Sequence, residues 1–285
     1  MSVLHLSRRP DGLAVLTFDT PNRRANVLTR AVWEEFDAHL QALAVAPDVR
    51  GLVLASGTPD IFIAGADLKF FAAVAAPQDP AVRALIEFGL ATLDRLESLP
   101  FPTCAALDGA TLGGGLEVAL ACDARVCGTN PKTELGLPEV KLGLIPGWGG
   151  TQRLPRIVGP ELAAEMLRTG DSLTADEAQD ANLVSAVVKS DALLDFAARH
   201  VLHDGWRGLR ESKRGAIPLA ERERFRAPVP SHPPALREAM LVLTRGGEMP
   251  LAEALTLETE AFLRLAGSDD SRARIAAFFA ARKKG

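Results

Sequence analysis

Runs of apolar residues switch along this chain between continuous stretches and a helical spacing, and the switches outline its elements. Residues 12–19, GLAVLTFD, are apolar and bounded by turn residues, which predicts a buried strand; PNRRAN at 21–26 predicts a turn. Across 28–43, Val32, Phe36, Leu40 and Leu43 recur near helical spacing and predict an amphipathic helix. Strands are predicted at 49–55 and 61–64, with Gly65 opening a helix that runs to about 74. A longer helix over 81–99 stops at Pro100 and Pro102. Short buried strands follow at 103–107 and 124–128, on either side of the run TLGGGLEVALACDARV, which opens as a helix.

Further along, 160–167 predicts a helix, and Thr174 with Glu177 has the spacing of a capping box for a helix reaching about 182. After Val188 the character changes. Residues 207–238 are rich in charge and proline, RAPVPSHPPALRE among them, and read as a joint; helices are predicted beyond it at 235–244, 251–266 and 271–283. Strands alternating with helices imply βαβ units and a mainly parallel sheet covered on both faces. The expected organisation is an α/β core over 1–206 and a joint with a helical region over 207–285.

Composition narrows the function classes. Hydrophobic residues make up 47% and charged residues 24%, the balance of a folded globular chain. A formal net charge of −4, with acids and bases scattered, gives no reason to expect nucleic acid or an anionic membrane as partner. Cys104, Cys122 and Cys127 lie in apolar runs without a CxxC pair, and the five histidines have no ligand spacing. Buried free thiols in a reducing compartment are therefore expected, with no metal site. The start, MSVLHLSRRPDG, has no apolar signal core, and no apolar stretch reaches the roughly 18 residues of a membrane span, so the expected location is the cytoplasm.

Within this frame Glu117 is out of place, a carboxylate following three glycines and surrounded by Leu, Val, Ala and Cys. An ionised carboxylate is costly to bury without a partner. Gly113–Gly115 would open a helix whose first N–H groups are unpaired and whose dipole end is positive, a place suited to a developing oxyanion. For a lone run of three glycines, helix–strand packing alone is the favoured explanation. The stretch FIAGADLKFF repeats the arrangement: apolar strand, Gly65, then a helix start with Asp67 in its first turn. Two such junctions can each supply one N–H, and Ala66 and Gly114 are the candidate donors. Glu139 follows 22 residues after Glu117, in a stretch crowded with Gly and Pro. Two glutamates in apolar settings near an oxyanion hole would make an acid–base pair.

Four motifs, PNRRANVL, SGTPDIFIAGADLK, DGATLGGGLEVALACDARV and GLPEVKLGLIPGWGGTQRLPRIVG, together with LTADEAQDANLVSAVV, resemble the enoyl-CoA hydratase/isomerase (crotonase) family over about residues 12–190. The wording is most similar to the hydratase half of multifunctional fatty-acid β-oxidation proteins, and no GxGxxG is present, so hydratase without dehydrogenase chemistry is implied. The resemblance implies a crotonase-like ββα spiral core with a C-terminal helical trimerisation region. It makes Ala66 and Gly114 the oxyanion-hole donors and Glu117 and Glu139 the catalytic pair. It places Arg24, Ala25, Ala64, Ala66, Asp67, Leu68, Lys69 and Gly114 along the acyl-CoA path, with Phe278 and Lys283 reaching a neighbouring subunit's CoA.

The implied partners are an acyl-CoA substrate and further copies of this chain, as a trimer or dimer of trimers. Coenzyme A enters only as part of the thioester, and no separate cofactor is implied. Trp148 stands where the family usually has a smaller residue in PG-x-GG. The implied reaction is hydration of a trans-2-enoyl-CoA. A Δ3,Δ2-enoyl-CoA isomerase, which often needs only a base like Glu139, is the nearest rival, and a non-catalytic CoA- or RNA-binding scaffold is the alternative of a different class.

Overall fold

The computed structural model describes residues 2–202, 205–224, 231 and 233–282. The chain divides into two compact units that interleave along the sequence. The first comprises Met1–Ala66, Gly89–Leu135 and Leu173–Ser212; the second comprises Asp67–Phe88, Gly136–Ser172 and Lys213–Gly285.

The first unit is built on a six-stranded sheet: β1 (Leu4–Arg8), β2 (Leu13–Phe18), β3 (Gly51–Ser56), β5 (Thr103–Leu107), β7 (Ala124–Gly128) and β10 (Ala186–Val188), in that spatial order. Only β1 and β2 are antiparallel; every other neighbouring pair is parallel. Within the parallel part, β5 and β7 are buried at every residue, as expected of strands covered on both faces. On one face Leu13, Val15, Val53, Cys104, Ala106 and Val126 pack against Leu193, Ala197, Ala198 and Val201 of helix α9 (Leu193–Val201). Elsewhere in the unit, helix α1 (Arg30–Ala44) brings Phe36, with Trp33 beside it, to Phe18, and Phe18 in turn meets Phe62 edge-on at 6.1 Å. A smaller sheet runs in the order β4 (Ile61–Ile63), β6 (Ala110–Leu112), β8 (Glu134–Gly136), β9 (Ser172–Thr174).

The predicted helix at 28–43 is α1, with all four of its spaced apolar residues buried. The capping box also forms. Thr174 Oγ1 accepts from the Glu177 N–H, and the Glu177 carboxylate accepts from the Thr174 N–H at the start of α8 (Ala175–Asp180). The helix predicted from Gly65 starts later, as α2 (Leu68–Ala72). Gly65 has φ +107°, outside the helical region, so the first residue able to cap is Asp67. Between the strand at 103–107 and helix α4 (Gly114–Ala121) an additional strand, β6, intervenes. The segment read as a joint contains two helices, α10 (Trp206–Arg214) and α11 (Leu219–Arg224).

The second unit contains α2, the start of α3 (Pro80–Glu97), a 3-10 turn at Pro138–Leu142, and the short helices α5 (Gly150–Arg153) and α6 (Pro155–Val158), followed by α7 (Pro160–Thr169). Helix α12 (Pro234–Gly246) packs on α13 (Leu251–Leu265), α7 and α5, while α14 (Asp269–Arg282) packs on α2 and the 3-10 turn. The three tail helices fall within about two residues of their predicted spans, as end fraying allows.

Candidate active site

Strands β4 and β6 are parallel neighbours, with Ile61 opposite Ala110 and Ile63 opposite Thr111. The register shifts between these two pairs; beyond it, Ala66 lies three residues past Ile63 and Gly114 three past Thr111. The two junctions touch through backbone. A Cβ on Gly115 would lie 2.2 Å from the Ile63 carbonyl oxygen, and one on Gly65 would lie 3.4 Å from that of Leu112. Only glycine allows the first approach.

A buried asparagine holds this corner. The Asn26 amide donates to the carbonyls of Phe18 and Phe62 and to Ser56 Oγ, each at 3.0 Å. Its Oδ1 accepts from the Thr20 N–H at 2.9 Å and from the hydroxyls of Thr20 and Thr58. One side chain thus ties the PNRRAN turn to the ends of β2, β3 and β4, with its hydrogen-bonding capacity filled. From there the backbone runs beside the first junction, with the Ala64 N–H donating to the Asn26 carbonyl and the Leu28 N–H to that of Gly65, both at 2.9 Å. Arg24, exposed, and Ala25, half-buried, precede Asn26 in this turn. Sequence reasoning gave Asn26 no role, because an asparagine in a turn has an ordinary explanation.

Glu117 sits in the first turn of α4, a helix in which every residue is buried, and is itself 1% exposed. Its N–H donates to the Gly113 carbonyl at 3.0 Å. The other end of α4 is closed by Arg125, whose guanidinium donates to the carbonyls of Ala119 and Cys122 and, through Nε, to that of Leu183. A cation at these carbonyls suits the negative end of the helix. Burial holds the Arg125 guanidinium below its ordinary pKa, with the neighbouring Cys122 acting in the opposite direction. Cys104, Cys122 and Cys127 are free and buried. Burial pushes the Cys104 thiol well up, and the Cys127 thiol up to about 12.

In the second unit, Asp67 caps α2 by accepting from the Lys69 N–H at 3.0 Å. Asp67 and Leu68 are half-buried and Lys69 is exposed. Glu139 is half-buried and lies in the 3-10 turn, where its carbonyl accepts from the Leu144 N–H at 3.1 Å. Trp148 is buried, and the loop following it closes on Glu258 of α13. That carboxylate accepts from the N–H of Gly149 at 2.6 Å, from the N–H of Thr151 at 2.9 Å, and from the Thr151 hydroxyl. The signal for Glu258 was present in the sequence: it falls on the buried stripe Leu251, Ala254, Ala261, Leu265 of α13. Phe278 is half-buried on α14, with the Arg282 guanidinium 5.0 Å from its ring centre. Lys283 lies outside the described residues.

The first unit therefore gathers Arg24, Ala25, Ala64, Ala66, Gly114 and Glu117, and the second holds Asp67, Leu68, Lys69, Glu139 and Phe278. Among the described residues there is no group of three or more His, Cys, Asp or Glu able to hold a metal ion, and no helix long and apolar enough to cross a membrane.

Comparison with known proteins agrees with this architecture. The family model for enoyl-CoA hydratase/isomerase matches residues 8–204. The fatty acid oxidation complex subunit alpha of Idiomarina loihiensis is 43% identical over 217 residues, covering 76% of this chain and 30% of that protein. The chain thus spans about a third of the length of the curated relatives it matches. Among solved structures, an enoyl-CoA hydratase/isomerase from Xanthobacter autotrophicus Py2 is 30% identical with a TM-score of 0.73, covering 100% of this chain and 94% of that one. The enoyl-CoA hydratase from Bacillus anthracis is 29% identical with a TM-score of 0.65, covering 99% and 97%. The fold is the mixed α/β crotonase fold with C-terminal helices that the motifs implied.

Proposed function

The chain belongs to the enoyl-CoA hydratase/isomerase family, and we propose that within it this protein adds water across the 2,3 double bond of a trans-2-enoyl-CoA, giving a 3-hydroxyacyl-CoA. The observation that supports the reading is the close approach of the two strand-to-helix junctions, Gly115 against the Ile63 carbonyl and Gly65 beside that of Leu112, with Glu117 in the first turn of the helix that follows. In this reading the two N–H groups receive the thioester oxygen. They stabilise the charge that develops there as the bond order shifts, which makes C3 electrophilic. Glu117 takes a proton from water as the water oxygen bonds to C3. Glu139 delivers a proton to C2. The balance is one water added, and the two carboxyl groups regain their starting protonation by exchange with solvent. Arg24, Ala25, Ala64 and the stretch Asp67–Lys69 line the path of the CoA and acyl groups, and Phe278 contacts CoA from a neighbouring copy of the chain.

Retention of both glutamates favours hydration over isomerisation, since the isomerase reading needs only Glu139. Fatty-acid breakdown is the role supported by likeness to the fatty acid oxidation complex subunit alpha. Self-association through the C-terminal helices belongs to the same proposal, and light scattering tests it: a trimer or hexamer is expected, and a monomer contradicts it. For the chemistry, loss of conjugated enoyl-thioester absorbance is followed with crotonyl-CoA. Glu117→Gln and Glu139→Gln should each lower turnover by roughly 10²–10⁴-fold. Hydration at the parent rate by both variants would sink the assignment.

A further inference from the structure

Helix α4 is short, and its two ends are held by different parts of the chain. At the N-terminal end its backbone is pressed on β4 at Gly115 and Ile63. At the other end, Asp123 follows directly after the last turn and is nearly wholly buried, with 2% exposure. Its carboxylate accepts from the Thr103 N–H at 2.8 Å and from the Thr103 hydroxyl, while its own N–H donates to that hydroxyl. The remaining partner comes from α10, inside the stretch whose composition reads only as a charged joint. Arg210 grips Asp123 with two bonds, Nε to Oδ1 at 2.8 Å and Nη2 to Oδ2 at 2.7 Å. The same guanidinium donates to the carbonyls of Leu99 at 2.6 Å and Phe101 at 3.1 Å, and it lies 4.5 Å from the Trp206 ring centre.

Arg210 is 8% exposed, so both charges of the pair are buried. Such a pair is poor grounds for a stability argument, because desolvation offsets much of the attraction. What the geometry supplies is position. The fork fits the carboxylate in one arrangement, and the spare N–H groups fasten the loop between α3 and β5 to the same point. Of the two candidate oxyanion donors, Gly114 travels with α4 and Ala66 does not. Any slide of α4 along its axis therefore changes the spacing between the two donors and carries Glu117 with it.

We propose that the Asp123–Arg210 pair is a positioning clamp for α4: it fixes the axial placement of the helix that carries Gly114 and Glu117, with Arg210 of α10 as its outer jaw. The clamp acts on turnover more than on ground-state binding, because the donors matter most where charge develops. The kinetic form of this proposal rests on the hydratase reading above.

The test uses the full chain with Asp123→Asn, which keeps shape and removes charge, and Arg210→Lys, which keeps charge and removes the fork. Folded protein is quantified by near-UV circular dichroism, and rates are given per folded molecule. For Asp123→Asn, kcat for crotonyl-CoA should fall by roughly ten- to a hundredfold. KM and the dissociation constant of butyryl-CoA, a saturated ground-state ligand, should stay within about twofold, and Arg210→Lys should fall between the variant and the parent. A lower unfolding midpoint with unchanged kcat would mean that the pair is structural only, and the proposal would be wrong. A parallel loss of kcat and butyryl-CoA affinity would overturn it too. If the parent does not hydrate crotonyl-CoA, the hydratase reading fails by itself. The clamp is then read from the enolate absorbance of bound acetoacetyl-CoA, which Asp123→Asn should weaken at saturation and which, if unchanged, refutes the clamp.

Discussion

Helix α4 starts at Gly113–Gly114 and helix α5 at Gly149–Gly150, so each presents backbone N–H groups behind a capping residue that has no side chain. At α5 the chain answers from within, where Glu258 takes the N–H groups of Gly149 and Thr151 and the Thr151 hydroxyl. At α4 the carboxylate that comes nearest in sequence is Glu117, one turn inside the helix rather than ahead of it, with its N–H committed to the Gly113 carbonyl. The same sequence device, glycines before a helix, thus serves two ends. Where a buried acid from another helix closes the start, the device is architectural. Where a neighbouring strand end is brought alongside instead, the proposed function assigns the start to the thioester oxygen.

The largest effect expected from breaking this contrast is at Gly115. An alanine there would set its Cβ 2.2 Å from the Ile63 carbonyl oxygen and 2.8 Å from the Ile63 Cβ, so β4 and α4 must separate. A displacement near 1 Å at a reacting centre costs on the order of a hundredfold. Gly115→Ala should therefore lower crotonyl-CoA turnover by about that factor. Turnover within threefold of the parent would show that the close approach is not what sets the two donors.

Glu258→Gln tests the other helix start and should act on stability first. A glutamine offers one acceptor oxygen where the carboxylate offers two, and its amide would face an N–H. Loss of charge-assisted bonds of this kind costs about 3 kcal/mol. Urea unfolding should report a loss of that size, with turnover per folded molecule falling far less than in Gly115→Ala. Equal losses of turnover in the two variants would erase the distinction between the helix starts.

How much of this contrast was legible beforehand follows from the range of the interactions involved. Val32, Phe36, Leu40 and Leu43 announce α1, and Thr174 with Glu177 announces α8, because each signal is complete within a few residues. Both glycine runs are equally visible. What separates them is a carboxylate on α13, over a hundred residues beyond Gly149, and a strand register formed by segments about fifty residues apart. The same limit hides Asn26, whose six bonds reach Phe18, Thr20, Ser56, Thr58 and Phe62. It also disguises α10, whose inward residue Arg210 reads by composition as part of a solvated, charged stretch.

The smallest effect separates the far ends of the same two helices. Arg125 covers the last carbonyls of α4 among three buried thiols, while Arg156 donates to the Gln152 carbonyl at the end of α5 and to those of Gly246 and Met249. Burial, with Arg153 beside it, holds Arg156 down to about 10. The buried thiols and the Arg156 guanidinium should answer alkali with opposite signs. A thiol raised by folding binds its proton in the native state after the unfolded chain has released it, so stability declines as pH climbs from the ordinary thiol range, about 8.5, towards 12. A guanidinium lowered by folding releases its proton first in the native state, so above about 10 Arg156 makes stability rise with pH. The chain has no tyrosine, so between about 9 and 10 the thiols near α4 should dominate. The slope expected there is about 1 kcal/mol per pH unit for each raised thiol, Cys104 and Cys127. Urea unfolding midpoints at pH 8, 9 and 10 measure it, and Cys127→Ala should flatten the decline by about half. A decline that survives intact in Cys127→Ala would remove that thiol from the alkaline response.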